Sequence, residues 1–409
     1  MMPEMTGVEV CQHVRAQSNQ PYTYQRFIDD GGTLKRDSVA GLQMDARFGD
    51  NFGATVQLLA SPATDTDRRY DATVAWAFLS WRPSNDWLVR AGKQRIPLYL
   101  YSQTYNVGVT YDFARLPTEM YSISPSNDFT GLSVGKTWDL DDGELGLDGY
   151  WGASDLHFRS WIRDGIPFVQ GPGPLFRPLS FEGGGLALSY KRREDTYRIG
   201  LGKVVIRETH ISNAYPVTYP FVPLLPGIGY YQVDPGMPGP GIPVIDHYSY
   251  RTLTLGADVN LGSGFRVISE FARSYVSKTQ LSTQSVRGYA SVLKRVDQWT
   301  PYVSYAFLRS NKGTLDLRDN VNANTVPAFV PGAAQINASQ RVGADTIVAY
   351  DQSSWAVGTS YALSATSMIK AEFLRAHIRR TSSMVDGPPG SNIRNQNINV
   401  LSMSYNFVF

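Results

Sequence analysis

One cysteine, Cys11, stands among 409 residues, so neither an intrachain disulfide framework nor a cysteine-based metal site is available. The histidines His13, His157, His210, His247 and His377 are scattered without metal-ligand spacing, and no Gly-x-Ser-x-Gly elbow occurs. Gly183-Gly184-Gly185 is followed by no Lys-Ser or Lys-Thr, which excludes a phosphate-binding loop. Charge is scarce: 18% of residues are charged, the net charge is +2, and no basic block exists, so a nucleic-acid partner is not expected. No apolar run reaches the roughly 18 residues that a membrane helix needs. Also lacking is a secretory leader: the start has no basic stretch followed by an apolar core. Nothing here supplies a catalytic group, a metal or a cofactor.

What the chain does have is aromatic side chains, 12% of residues with 24 Tyr and 8 Trp. Tyr and Trp favour membrane–water interfaces, where the ring meets lipid and the polar atom meets water. The second asset is alternation. In the terminal segment Leu401, Met403, Tyr405, Phe407 and Phe409 share one face of an extended strand, and Ser402, Ser404 and Asn406 share the other. The same two-residue rhythm sets Ala40, Leu42, Met44, Ala46 and Phe48 against Gly41, Gln43, Asp45 and Arg47. It recurs at 250–261 and 354–363. A wall with lipid outside and water inside requires this pattern, and averaging hides it, as in the mean hydropathy of −0.24.

Further strands are expected at 52–61, 71–82, 86–95, 129–140, 143–153, 183–192, 196–207, 265–276, 284–296, 298–309 and 366–379. Gly49-Asp50-Asn51, Pro83-Ser84-Asn85, Asp141-Asp142-Gly143, Glu194-Asp195, Gly262-Ser263-Gly264 and Asp297-Gln298 are tight-turn sequences. Between them fall long excursions at 96–128, 155–180, 208–246, 310–349 and 381–395. Short turns on one side and long loops on the other describe an all-β transmembrane antiparallel barrel, with short periplasmic turns and long extracellular loops. A closed antiparallel barrel needs an even number of strands. The fifteen segments therefore require one more before residue 38, for which 20–31 offers the room, making about sixteen.

From about residue 24 the chain resembles a Gram-negative general porin. The resemblance rests on Val89-Arg90-Ala91-Gly92-Lys93-Gln94-Arg95 and on the terminal Tyr405-Asn406-Phe407-Val408-Phe409. It implies an outer-membrane location, a homotrimer, contact with outer-membrane lipid, and passive diffusion of small hydrophilic solutes or ions. It also implies that the loop 96–128 folds into the lumen, although the usual Pro-Glu-Phe-Gly-Gly run is absent. The alternatives are a sugar- or anion-selective channel and an outer-membrane barrel enzyme. Residues 1–17 are similar instead to a fragment of response-regulator receiver domains, on Met1-Met2-Pro3-Glu4-Met5-Thr6-Gly7-Val8-Glu9-Val10-Cys11. As a helix this fragment would line up Val8, Cys11 and Val14. The reading is thus a non-barrel segment at 1–19, either an artefact or a plug, and a barrel over 20–409.

In a pore the working chemistry is fixed charge in a narrow, water-filled passage. Alternation turns Arg47, Arg90 and Arg198 inward, with Asp45, Asp148 and Asp258, and adds Arg266, Glu270, Lys370 and Glu372. The long loop supplies Asp112, Arg115 and Glu119 amid Tyr99, Tyr101, Tyr105 and Tyr111. The expected constriction sets Arg90, Lys93 and Arg95 against Asp112 and Glu119. The plainer alternative makes each charge an ordinary rim or loop residue. Trp81, Trp87, Trp138, Trp151, Trp299 and Trp355 are expected in aromatic girdles, and the apolar loop 216–243 at the pore mouth or against a neighbouring subunit.

Overall fold

The computed structural model describes residues 4–17, 21–123, 127–209 and 214–409, with the backbone alone for 4–17. Fifteen antiparallel strands form one continuous sheet: Val39–Phe48, Phe52–Pro62, Tyr70–Ser84, Trp87–Arg95, Asp128–Leu140, Gly143–Ile162, Gly173–Arg192, Asp195–Glu208, His247–Gly262, Phe265–Val276, Ser285–Lys294, Trp299–Ser310, Tyr350–Ser364, Ser367–Ser382 and Gln396–Val408. Each pairs with the next. Glu4–Gln17 lies between the two edge strands. It runs in register with Gln396–Val408 on one side (Val8 to Gln17) and with Val39–Phe48 on the other (Glu4 to Val10).

The faces are as the alternation requires. Leu401, Met403 and Tyr405 are 42–53% exposed, whereas Ser402, Ser404 and Asn406 are 0–4% exposed. Leu42, Met44, Leu255, Trp355 and Val357 are likewise exposed. An apolar exterior over a polar interior inverts the soluble arrangement and suits lipid. At the short-turn end aromatic rings ring the sheet: Phe52 stacks on Trp81 at 6.4 Å and Trp299 meets Tyr361 at 4.6 Å. Trp87 and Trp138 are exposed at the same end, while Trp151 and Trp355 sit further along their strands. The tight turns use left-handed residues where the hairpin demands them, such as Gly49, Ser263 and Asp297.

Four expectations change. The strand expected at 20–31 is replaced by a looped segment in which Thr23–Tyr24 pairs with Val385–Asp386 and Tyr24 bridges Ile28. Among the described residues, the helix expected near the start is an extended strand, Glu4–Gln17. Met1, Met2, Pro3, Gln20 and His210 lie outside the described residues, as does the orientation of Val8, Cys11 and Val14. The excursion 155–180 is mostly a hairpin, since Gly143–Ile162 and Gly173–Arg192 stay paired out to Ile162 and Gly173. A hairpin standing clear of the membrane needs no greasy outer stripe, so it reads as loop. The excursion 310–349 contains the helices Lys312–Ala323 and Ala333–Thr346, the first capped by the Asn311 side chain accepting from Thr314 N at 2.8 Å.

Candidate pore and its inward-folded loops

Residues 97–123 leave the strand Trp87–Arg95 and lie on the inner face of the strands between His247 and Ser382. Glycine makes the seat. A Cβ at Gly200 would lie 2.4 Å from Thr254 Oγ1 and 3.0 Å from Leu98 Cδ2, and one at Gly256 would lie 2.9 Å from Leu100 Cγ. Only a bare backbone lets the loop approach so closely. On that seat Thr254 Oγ1 donates to Leu98 O at 2.9 Å, and Arg198 donates through Nη2 to Pro97 O at 2.7 Å.

Inward charges then bolt the loop down. The Glu270 carboxylate accepts from Leu100 N (2.8 Å), Tyr289 OH (2.9 Å) and Tyr121 OH. Lys370 Nζ donates to Gly108 O at 2.7 Å and Phe113 O at 2.9 Å, and sits 4.1 Å from the Tyr111 ring centroid. Tyr302 OH accepts from Ala114 N and donates to Glu372 Oε2, both at 2.9 Å. Arg287 Nη2 donates to Tyr99 OH at 2.7 Å. Charged groups in so confined a place are tolerable because each is hydrogen-bonded. Between the bolts lies an apolar core: Phe113 meets Tyr302 edge-on at 5.2 Å and Tyr289 at 6.2 Å, with Leu98, Met120 and Tyr121 buried around them.

A second segment folds inward. In 21–38, Tyr22, Tyr24 and Ile28 are buried, and Gln25 N donates to Met384 O at 2.7 Å. Arg115 joins the two segments, donating through Nε to Asp37 Oδ2 at 2.8 Å and through Nη2 to Gln25 Oε1. Glu119 is fully buried and accepts from Gln352 Nε2 at 2.9 Å. Burial holds its carboxyl above the usual carboxylate range, partly offset by the Gln352 and Ser354 side chains. Above, Arg159 bridges Asp67 (Nε, 2.9 Å) and Asp386 (Nη1, 2.9 Å), fastening the outer loops together.

The residues expected to face one another across water therefore separate into groups. Arg90, Arg95 and Arg198 are half-buried on the inner side, and Asp112 is half-buried on the loop. Asp112 does meet a wall arginine, but it is Arg266 (3.4 Å), which also holds Asp258 (2.6 Å), and Ser360 Oγ donates to it at 2.7 Å. Lys93 pairs with Asp128 on the neighbouring strand at 3.4 Å. Arg47 is exposed beside the turn at 49–51, at the mouth. Arg115, Glu119 and Lys370 are 7%, 0% and 1% exposed and serve the loop's attachment. The buried Tyr99 and Tyr101 belong to the loop's packing. Glu270 and Glu372, expected to face inward, and Arg287, which was not anticipated, seat the loop through partners 70 to 188 residues away in sequence.

An antiparallel sheet that is apolar outside, rimmed by aromatics, and carries a loop folded onto its inner face has the architecture of an outer-membrane β-barrel. Comparison with solved structures agrees at the level of fold. The chain is similar to a loop-deletion mutant of OmpT, an outer membrane protein of Vibrio cholerae (TM-score 0.54, 11% identity, 100% of this chain and 99% of that one). It is similar to an anion-selective porin from Comamonas acidovorans (0.52, 11%, 100% and 99%) and to the outer membrane channel DcaP of Acinetobacter baumannii (0.51, 11%, 100% and 97%). OmpT of Vibrio cholerae is also seen in a trimer form (0.51, 10%, 100% and 100%). No protein-family model and no curated protein matches the chain. The resemblance of residues 1–17 to a receiver domain gains no support from any of these.

Proposed function

We propose that this protein is an outer-membrane channel through which small hydrophilic solutes or ions diffuse passively, and not an enzyme. The observation that carries this reading is the loop 97–123, held on the inner wall by Glu270, Lys370 and Glu372 beneath an exterior apolar enough for lipid. Such a loop narrows a passage without filling it, and so sets the size of what passes.

In this reading the barrel has sixteen strands and begins at Glu4, because Glu4–Gln17 satisfies the backbone groups of both edges; an open edge in lipid would leave them unpaired at several kcal/mol each. Arg90, Arg95, Arg198 and Asp112 line the water path. The assembly is a homotrimer in the outer membrane, on the likeness to the OmpT trimer form. Reconstitution of the full chain into planar bilayers in KCl is the test. Discrete conductance steps without added substrate are expected; a folded protein that inserts and gives none overturns the reading.

A further inference from the structure

We infer that the channel wall carries a binding subsite for small organic anions, specifically a carboxylate attached to a flat apolar group. The inference deepens the channel reading and rests on it for the solute's route of access. The subsite is a crevice beside the start of the inward loop, lined by Trp76, Phe78, Arg90, Gln94, Arg95 and Asp148 among others. The space within it that water-sized groups can occupy is about 40 Å³, room for roughly three waters or one oxyanion.

Three features select an anion. First, cations outnumber carboxylates. Arg90 and Arg95 line the crevice with a single carboxylate, Asp148, which itself lies 3.8 Å from Arg198. The other acid nearby, Asp128, is engaged by Lys93 at 3.4 Å. Second, donors outnumber acceptors. The Trp76 Nε1 donor is buried with no hydrogen-bond partner among the described residues. The Gln94 amide has little acceptor capacity left, since its Oε1 already receives Ser133 Oγ at 2.6 Å. A buried donor without a partner is costly unless something accepts from it. A carboxylate would satisfy Trp76 and meet guanidinium groups suited to bidentate contact.

Third, there is an apolar flank. The Trp76 and Phe78 rings lie 5.9 Å apart, and Arg90 already lies 5.4 Å from the Phe78 centroid. Arg90 is thereby held against an aromatic face, with Asp148 the nearby carboxylate that acts on its charge. A ring on the solute could extend this stack, whereas acetate offers nothing to it.

Benzoate, acetate and benzyl alcohol separate the contributions. In bilayers, benzoate is expected to reduce the KCl current at concentrations at least about tenfold below acetate, with benzyl alcohol inert. The double variant Arg90→Gln/Arg95→Gln should weaken benzoate block tenfold or more. Should that variant fail to fold, Arg90→Lys/Arg95→Lys keeps the charge, loses the fork, and should weaken block several-fold. Independently of conduction, benzoate should quench tryptophan fluorescence of the detergent-solubilised full chain, and Trp76→Phe should remove that component. Quenching without conductance would leave the subsite standing and sink the channel reading. Equal block in wild type and the arginine variants, benzyl alcohol as potent as benzoate, or unchanged quenching in Trp76→Phe would each overturn the subsite.

Discussion

Two stretches of the barrel wall carry inward polar groups and use them differently. On the strands from His247 to Ser382, Glu270, Arg287, Lys370 and Glu372 are 0–5% exposed; Glu270, Arg287 and Lys370 bond directly to the loop 97–123, and Glu372 reaches it through Tyr302. On the strands from Val39 to Leu140, Asp45 and Arg90 remain half-buried. There the polar groups bond along the wall itself, as where Gln43 Nε2 donates to Asp45 Oδ2 at 2.7 Å and Gln57 Nε2 to Gln43 Oε1 at 2.9 Å. Facing inward is therefore not the same as facing the pore. One stretch of wall serves as the loop's mounting plate, and the other bonds along itself.

The comparison presupposes a closed lumen, and the largest effect comes from opening it. Removing residues 1–18 takes away the strand that pairs Val8–Gln17 with the last strand and Glu4–Val10 with Val39–Phe48. Unpaired backbone in lipid costs several kcal/mol per group, so the truncated chain is expected to lose its heat-modifiable folded form on unheated gels. A truncated chain that folds as well as the full one would show that closure is made some other way.

Next in size is removal of the bolts. Glu270→Ala with Lys370→Ala leaves Leu100 N, Gly108 O and Phe113 O without those partners, at about 1–3 kcal/mol for each group left unsatisfied. The loop should leave the wall, raising single-channel conductance by about twofold or more and exposing 97–123 to protease. Asp45→Asn on the other stretch should leave protease resistance unchanged. Equal behaviour of the two variants would erase the distinction between the stretches. A gentler probe is Gly256→Val, which pushes a branched side chain at Leu100 and should destabilise loop docking by about 1–3 kcal/mol.

The alternation of Leu401 with Ser402 and of Leu42 with Gln43 made the wall legible, because a strand between lipid and water must repeat every two residues. Fifteen strands follow from that rhythm and the tight turns. The first strand was misplaced, since Glu4–Gln17 carries a helix-like sequence pattern while 20–31 looked extended. The candidate site was legible in its parity and not in its partners. Inward placement of Glu270 and Lys370 could be read from spacing, but what covers them could not. Glu270 meets Leu100 at a separation of 170 residues, through a loop with no periodicity to place it. Lys93, expected at the constriction, uses its long side chain to reach Asp128 on the neighbouring strand.

The smallest effect tests the junction of the two inward segments, where two acids sit near one arginine in opposite circumstances. Burial dominates at Glu119 and keeps its carboxyl raised. Asp37 is also buried, yet Arg36 and Arg115 overcome that and hold its carboxyl below the usual range. The signs follow by linkage. A raised carboxyl binds protons in the folded state that the unfolded state has released, so the Glu119 contribution is full below the ordinary glutamate value of 4.5 and falls as pH rises beyond it. The Asp37 contribution is full above the ordinary aspartate value of 3.8 and is lost as pH falls below it. Denaturation midpoints from about pH 3 to 8 should therefore lose part of their decline at the upper end in Glu119→Gln, and part of their acid sensitivity in Asp37→Asn. The same change in both variants would mean that Arg115 couples the acids into one group, and the two inward segments would then open and close as a single piece.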